Sequence, residues 1–333
     1  MNINNKKLDI NKLGFCMITP DAFIRKKEDE LLKFLIDKGF SFLDFKFNYV
    51  NEQIIEEIYK YTYLEKIEEH KKTHWWLTKK PYNEHPALGL VVYLPNIPKG
   101  FASVSEYIKS FKGPSDFTNR QEGSVRKIFD SFSKTLALFH SSDNTISMER
   151  EANLFFGCDI IQKININKTF SMNYISESLQ NNFEEKDINP IHALYLLKLR
   201  IAYFIDKNIN KSIFWETHGN CLIKSYRATL NLFQTCLNYD KCYEILDSIE
   251  TKERIILLAQ KNDIICDNAE IDDVFIKGLL IKLIEFLKML SDTKKIRCDD
   301  LFEFISIVRF SGIKLTRWEE ILILNLLFFR SDI

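Results

Sequence analysis

The feature that most constrains this chain is a change of texture near Cys158. Strand-like patterns are concentrated before that residue and helical patterns dominate after it. A chain of 333 residues is also long for one hydrophobic core, because cores stop growing near this size and chains divide. Two domains are therefore expected: 1–158, mixing sheet and helix, and 159–333, all helical.

In the first part, Leu13 to Thr19 is a short apolar run closed by Pro20-Asp21, which suits a buried strand ending in a turn. Lys26 to Lys38 places Leu31, Leu32, Leu35 and Ile36 at helical spacing and stops at Gly39. The aromatic, alternating run after Gly39 reads as a half-buried strand. Asn51 is the expected cap of a helix burying Ile54, Ile55, Ile58 and Tyr59. Ala87 to Leu94 reads as a third strand, Val104 to Phe111 as a helix, and Thr135 to Phe139 as a fourth strand leading into His140. This order fits an α+β, ferredoxin-like antiparallel sheet with helices on one face.

Beyond Cys158 extended structure is expected only near Ile160 to Ile164. Helical patterns cover Pro190 to Ile205, Thr217 to Leu237, Lys241 to Ile249, Lys252 to Lys261, Ile271 to Leu290, Asp299 to Phe310 and Arg317 to Phe329. Asn189 and Pro190 are expected to form a cap and first-turn pair. Thr217 is expected to cap the helix after the polar knot Trp215 to Asn220.

The 46 basic side chains balance 46 acidic ones, so no global charge excess favours nucleic acid or a membrane surface. The most apolar helix, Val274 to Leu290, is interrupted by Lys277, Lys282, Glu285 and Lys288, which argues against a membrane span. The polar N-terminal residues lack the pattern of a secretory signal, and the seven cysteines contain no CxxC pair. A reducing, cytoplasmic setting is expected. His70, His74 and His85 lack the spacing of a helix-borne metal pair.

The informative constellation is Phe139-His140-Ser141-Ser142-Asp143, followed by a helix that begins near Ser147 and carries Glu149. A neutral imidazole at a strand end is a competent phosphoryl acceptor if another group fixes its tautomer, and Glu149 is the carboxylate expected to do so. Considered alone, a histidine before Ser-Ser-Asp is more often structural, because Ser and Asp also make ordinary turns.

In company the segments resemble the nucleoside diphosphate kinase family. His140, Ser142, Asp143 and Glu149 resemble its His-Gly-Ser-Asp motif and the glutamate of the next helix. Met17-Ile18-Thr19-Pro20-Asp21 and Arg25 resemble the first strand, the Lys-Pro-Asp turn and the arginine that follows it. Gly113-Pro114-Ser115-Asp116 resembles the Asn-Pro-Ala-Asp loop, and Gly123-Ser124-Val125-Arg126 the Gly-Thr-Ile-Arg segment. The resemblance implies phosphoryl transfer from a nucleoside triphosphate through phospho-His140, with Mg²⁺ bridging the phosphates. Arg126 would grip phosphate oxygens, and Trp75 or Trp76 would stack the base, with Tyr59 near the pocket. Lys112 is an added candidate for the phosphates, and Ser142 and Asp143 belong to the nucleotide site. The family also implies self-association as a dimer or larger oligomer.

The departures point to an alternative. Thr19 stands where the family has a lysine for sugar and phosphate, Ala137 where it has an asparagine for the sugar, and Glu106 near a second phosphate-binding arginine. A changed nucleotide or acceptor would accommodate them. So would a catalytically degenerate nucleotide-binding or scaffold module whose helical domain meets a protein partner.

Overall fold

A computed structural model of the chain describes residues 9–61, 75–116, 119–179, 190–209, 213–235, 274–291 and 296–329. The chain divides into two compact units, one running to Asp187 and one beginning at Ile188.

The first unit is built on a four-stranded antiparallel sheet of β1 (Leu13–Ile18), β2 (Ser41–Asn48), β3 (Ala87–Tyr93) and β4 (Phe139–Ser141), in the order β2-β3-β1-β4. Strand β1 lies at the centre, with Leu13 opposite Tyr93 at one end and Met17 opposite both Gly89 and His140 at the other. Between strands run α1 (Pro20–Ile24), α2 (Glu28–Asp37), α3 (Glu52–Ile58), α4 (Trp75–Glu84), α5 (Val104–Lys112) and α6 (Val125–Ile128). After β4 come α7 (Thr145–Phe156), α8 (Ile160–Lys163) and α9 (Met172–Leu179).

Helices cover both faces of the sheet, where one covered face was expected. Alternation along β1 sends Leu13, Phe15 and Met17 into a core with Ile55, Met148, Ala152 and Phe155, while Cys16 and Ile18 face Leu31, Leu35, Val104 and Ile108. The physical reason is visible in the sequence of β1 and β3, which are apolar at nearly every position and are buried along almost their whole lengths. A strand covered on one side alternates apolar and polar residues, whereas one covered on both sides need not.

Two glycines permit this close layering. At Gly89 an added Cβ would lie 2.4 Å from the ring of Phe155, and at Gly14 it would lie 2.8 Å from Ile108 and Val104. Overpacking of a filled core costs about 1–3 kcal/mol. Gly89→Ala is therefore expected to lower the thermal midpoint by several degrees, a loss of roughly that size, read by circular dichroism. An unchanged midpoint would show that Phe155 gives way freely.

Several local expectations change. Pro20-Asp21 opens the short helix α1, with proline in its first turn, rather than closing a turn. The expected strand at Thr135 to Phe139 contracts to Phe139–Ser141 because Leu138 has a φ of +62° and interrupts the extended run. Ile160–Lys163 is helical, not extended: Asp159 takes a left-handed conformation and Asn153 Oδ1 accepts from the amide of Ile160.

The first unit also extends past Cys158. Ile161 enters the core on the α7 face, and Ile175 and Leu179 enter the core on the other. The Phe170 amide donates to the Phe42 carbonyl at 2.8 Å, and the Phe170 ring meets Phe45 edge-on at 5.1 Å. Residues up to Leu179 thus complete this sheet's hydrophobic layers.

The second unit is helical throughout its described residues: α10 (Pro190–Asn208), α11 (Ile213–Thr235), α12 (Val274–Leu290), α13 (Cys298–Phe310) and α14 (Arg317–Phe328). Helix α10 packs against α11, α12 and α14. Arg200 on α10 forms a two-pronged ion pair with Glu319 of α14, at 2.9 and 3.1 Å. The expected cap at Thr217 is displaced, because α11 begins at Ile213 and the polar knot lies inside its first turns. There Gly219 accommodates the Trp215 ring, whose Nε1 donates to Asp206 at 3.0 Å. The helices expected at Lys241 to Ile249 and Lys252 to Lys261, and the cap at Asn189, lie outside the described residues. Among the described residues no helix is long and apolar enough to cross a membrane.

Candidate active site

The turn before His140 is assembled under strain. Leu138 is fully buried at positive φ, and the Phe139 amide donates across it to the Ala137 carbonyl at 2.7 Å, making a tight three-residue turn. A non-glycine residue in this region costs on the order of 1–3 kcal/mol and persists only where its surroundings overdetermine it. Here they do. The Leu138 amide donates to Asp21 Oδ2 at 2.9 Å, and the Leu138 carbonyl accepts from the Thr19 amide at 3.0 Å. Thr19 Oγ1 in turn donates to Asp21 Oδ1 at 2.6 Å. Burial pushes the Asp21 carboxyl above its ordinary pKa, against the opposing pull of these donors and of Arg25.

Strand β4 then presents His140 opposite Met17. Its Nε2 lies 2.9 Å from Glu151 Oε2, an oxygen that also accepts from Ser142 Oγ at 2.7 Å. The other oxygen of Glu151 accepts from Arg150 at 3.0 Å. An ionised carboxylate can only accept hydrogen bonds, so Nε2 is the donor in this contact and Nδ1 is the ring nitrogen that Glu151 does not hold. The Tyr59 ring meets the imidazole edge to face, with centroids 4.9 Å apart. Burial pushes the Tyr59 phenol up to about 12, so it remains a neutral hydroxyl beside that of Tyr82, 3.3 Å away.

The carboxylate expected from Glu149 is therefore supplied by Glu151. Asn144 caps α7, accepting from the Ser147 amide at 2.8 Å, and the helix then buries Met148, Glu151, Ala152 and Phe155 at helical spacing. Glu149 falls on the exposed side. The apolar positions Met148, Ala152 and Phe155 are the sequence signal that would have selected Glu151.

Two cations, Arg126 buried and Lys112 mostly so, bracket the histidine along the chain. Arg126 donates to the Gly113 carbonyl at 2.7 Å and to the carbonyl of Phe139, the residue before His140, at 3.4 Å. Its Nε has no partner among the described residues. Lys112 donates to the carbonyl of Ser141, the residue after His140, at 2.9 Å, and pairs with Asp143 at 3.3 Å. Burial lowers the pKa of both cations. Asp143 is pulled below the usual carboxylate range: burial opposes the shift, but Lys112 and Lys109 outweigh it. Gly113 makes the bend with a φ of +80°, and an added Cβ there would lie 2.6 Å from Ser124.

The remaining expected residues are dispersed. Trp76 is half-buried on α4 with the Lys80 ammonium 5.8 Å from its ring, whereas the side chain of Trp75 lies outside the described residues. Glu106 is used within its own helix end, where it accepts from the Ala102 amide at 2.9 Å. His85 is buried against Phe23, with Nδ1 2.8 Å from the Pro86 carbonyl, while His70 and His74 lie outside the described residues. Among the described residues no three His, Cys, Asp or Glu side chains converge to hold a metal ion.

An antiparallel sheet with a histidine on its short fourth strand, held by a helix carboxylate and flanked by an Arg and a Lys, defines a domain of the nucleoside diphosphate kinase type. Residues 13–161 match the family model described as Nucleoside diphosphate kinase, and over these residues the chain carries a domain of that family. Solved structures similar to the chain include nucleoside diphosphate kinase from Encephalitozoon cuniculi in an apo form. It is 18% identical, covers 50% of this chain and 98% of its own, and has a TM-score of 0.37. The enzyme from Halobacterium salinarum in complex with CDP is 19% identical, covering 48% and 91%, with a TM-score of 0.35. The enzyme from Borrelia burgdorferi with bound vanadate and ADP is 18% identical, covering 48% and 90%, with a TM-score of 0.37. No curated protein matches the sequence.

Proposed function

We propose that the first unit is a nucleotide-dependent phosphotransferase working through phospho-His140. The observation that carries this reading is the imidazole itself: Glu151 holds Nε2, which leaves Nδ1 as the ring nitrogen to meet a phosphate, while Arg126 and Lys112 hold the carbonyls of the residues before and after the histidine. In the reaction, Nδ1 attacks the terminal phosphorus of a nucleoside triphosphate while the bond to the bridging oxygen breaks, releasing the diphosphate. A terminal oxygen of a second diphosphate then attacks the phosphohistidine, the P–N bond breaks, and the imidazole is restored. Such transfers need little from a protein beyond a nucleophile, alignment and neutralisation of charge on the equatorial oxygens. Arg126 suits the last task as a planar fork and Lys112 as a point charge. Ser142 and Asp143 hold Glu151 and Lys112 respectively. Mg²⁺ belongs to the nucleotide substrate in this proposal.

A buried cation lacking a carboxylate partner carries a desolvation cost that a bound phosphate would offset. Arg126 meets that description among the described residues, where its hydrogen-bond partners are backbone carbonyls. Tyr59 and Trp76 offer ring surfaces for the base, and stacking tolerates any base. Self-association and a protein partner for the helical unit, in a cytoplasmic setting, complete the proposal.

A changed nucleotide or acceptor is the second reading, with a binding or scaffold module as its inactive limit. It is favoured by the hydroxyl of Thr19, committed to Asp21, and by Glu106, committed to its own helix end. Neither offers a positive charge to a sugar phosphate.

Incubation of the full chain with each γ-labelled nucleoside triphosphate and Mg²⁺ tests these readings. Acid-labile, alkali-stable label that a range of diphosphates chases supports ordinary exchange, and label that only a restricted set chases supports the changed acceptor. No label from any triphosphate would overturn the phosphotransferase and leave the binding module. In the same assay Glu151→Gln is expected to slow labelling about ten- to a hundredfold, because an amide cannot accept from His140, Ser142 and Arg150 together. Glu149→Gln is expected to stay within about twofold of the parent, as surface changes usually do. Equal effects of the two substitutions would contradict the geometry.

A further inference from the structure

We infer that Arg150 is a positioning residue that keeps the His140 ring singly protonated by sharing Glu151 with it. Its catalytic consequence rests on the phosphotransferase reading, although its geometry stands independently. Arg150 does three things at once. One nitrogen donates to Glu151 Oε1 at 3.0 Å, on the oxygen that His140 does not use. The guanidinium also donates to the carbonyls of Glu57 and Ile58, the latter at 3.2 Å, where α3 runs out of backbone partners. Its plane lies over the ring of Tyr61, 5.1 Å from the centroid.

The cation therefore joins the carboxylate that holds His140 to the end of the helix from which Tyr59 reaches the same imidazole. Cations also favour a helix C-terminus electrostatically. This placement has a chemical consequence. A buried carboxylate with no cation of its own draws a proton onto a neighbouring imidazole, because the ion pair is then the cheapest way to hold the charge. A doubly protonated ring has no lone pair with which to attack phosphorus. With Arg150 on one oxygen, Glu151 is already matched and can orient the neutral ring.

The charged and titratable groups around this ring and its carboxylate are Glu151 and Arg150 from α7, Tyr59 beyond α3, Lys112 from α5, Arg126 from α6, and Asp143 after β4. Lys112 is itself paired with Asp143 and Arg126 is directed to carbonyls, which leaves Arg150 as the cation in contact with Glu151 among the described residues.

Nitrogen NMR of histidine-labelled full-length protein at neutral pH tests this directly. The parent is expected to show one ring proton on His140, at Nε2. Arg150→Met should raise the doubly protonated fraction at least about threefold, and Arg150→Lys, which keeps the charge, should restore the parent pattern. Phosphohistidine formation should slow at least about twofold in the Met variant, in step with the loss of singly protonated ring, and recover in the Lys variant. If the Met variant fails to fold, Arg150→Gln, neutral but still hydrogen-bonding, carries the same comparison with Lys. An unchanged ring protonation state in the neutral variant would overturn the inference. Absence of label in the parent would instead defeat the phosphotransferase reading and leave the NMR result standing.

Discussion

His140→Ala is expected to eliminate acid-labile phosphate from the protein, a loss on the order of 10⁵-fold or more, which is the scale reached when a nucleophile is deleted. Neither Tyr59 nor Asp21 replaces it. Tyr59 is held neutral by burial, and Asp21 has both carboxylate oxygens engaged by Leu138 and Thr19. The same substitution should be mild for folding. Glu151 keeps Ser142 and Arg150 as partners, so no carboxylate is stranded, and the lost hydrogen bond is worth about 1 kcal/mol. The decisive measurement is intact-protein mass after incubation with triphosphate at alkaline pH, alongside a thermal melt. A phosphate adduct that survives in a variant with a normal melting curve would place the acceptor on another residue.

The contrast between His140 and its supporting carboxylate shows what the sequence made legible. His140 was identifiable because several short motifs occur in order, and chemistry constrains such motifs at single positions. The partner was misplaced by two residues because a helix turns by roughly 200° over that interval, sending Glu149 and Glu151 to nearly opposite sides. Only the cap at Asn144 and the stripe of Met148, Ala152 and Phe155 fix which side faces the sheet. The sheet itself was readable for a related reason. Strands β1 and β3 are short apolar runs bounded by turns, although their unbroken apolarity fits two covered faces rather than the one expected.

What stayed hidden depends on contacts between segments far apart in the chain. The positive φ of Leu138 is imposed by Thr19 and Asp21 more than a hundred residues earlier, and no local propensity of leucine announces it. Likewise, residues 160–179 follow the change of texture at Cys158, which groups them with the second unit. Their place in the first is decided by Phe170 against Phe42 and by Ile175 and Leu179 in the core.

Arg126 is the other position where a large effect is expected. Its guanidinium spans the Gly113 carbonyl of the turn after α5 and the Phe139 carbonyl before His140, so it ties two sides of the site together while keeping Nε without a partner among the described residues. Replacement by alanine should reduce kcat/KM for phosphohistidine formation about a hundred- to a thousandfold, the usual scale for losing a preorganised donor to transition-state charge. It should also cost roughly 1–3 kcal/mol of stability, because two buried carbonyls lose their donor. Arg126→Lys separates the two roles: one ammonium preserves the charge but cannot reproduce the planar fork, so stability and binding should recover more than the rate of transfer. Single-turnover labelling as a function of triphosphate concentration distinguishes binding from transfer. Loss confined to the concentration dependence, with an unchanged maximal rate in both variants, would reduce Arg126 to a ground-state phosphate contact and leave Lys112 as the principal candidate for charge in the transition state.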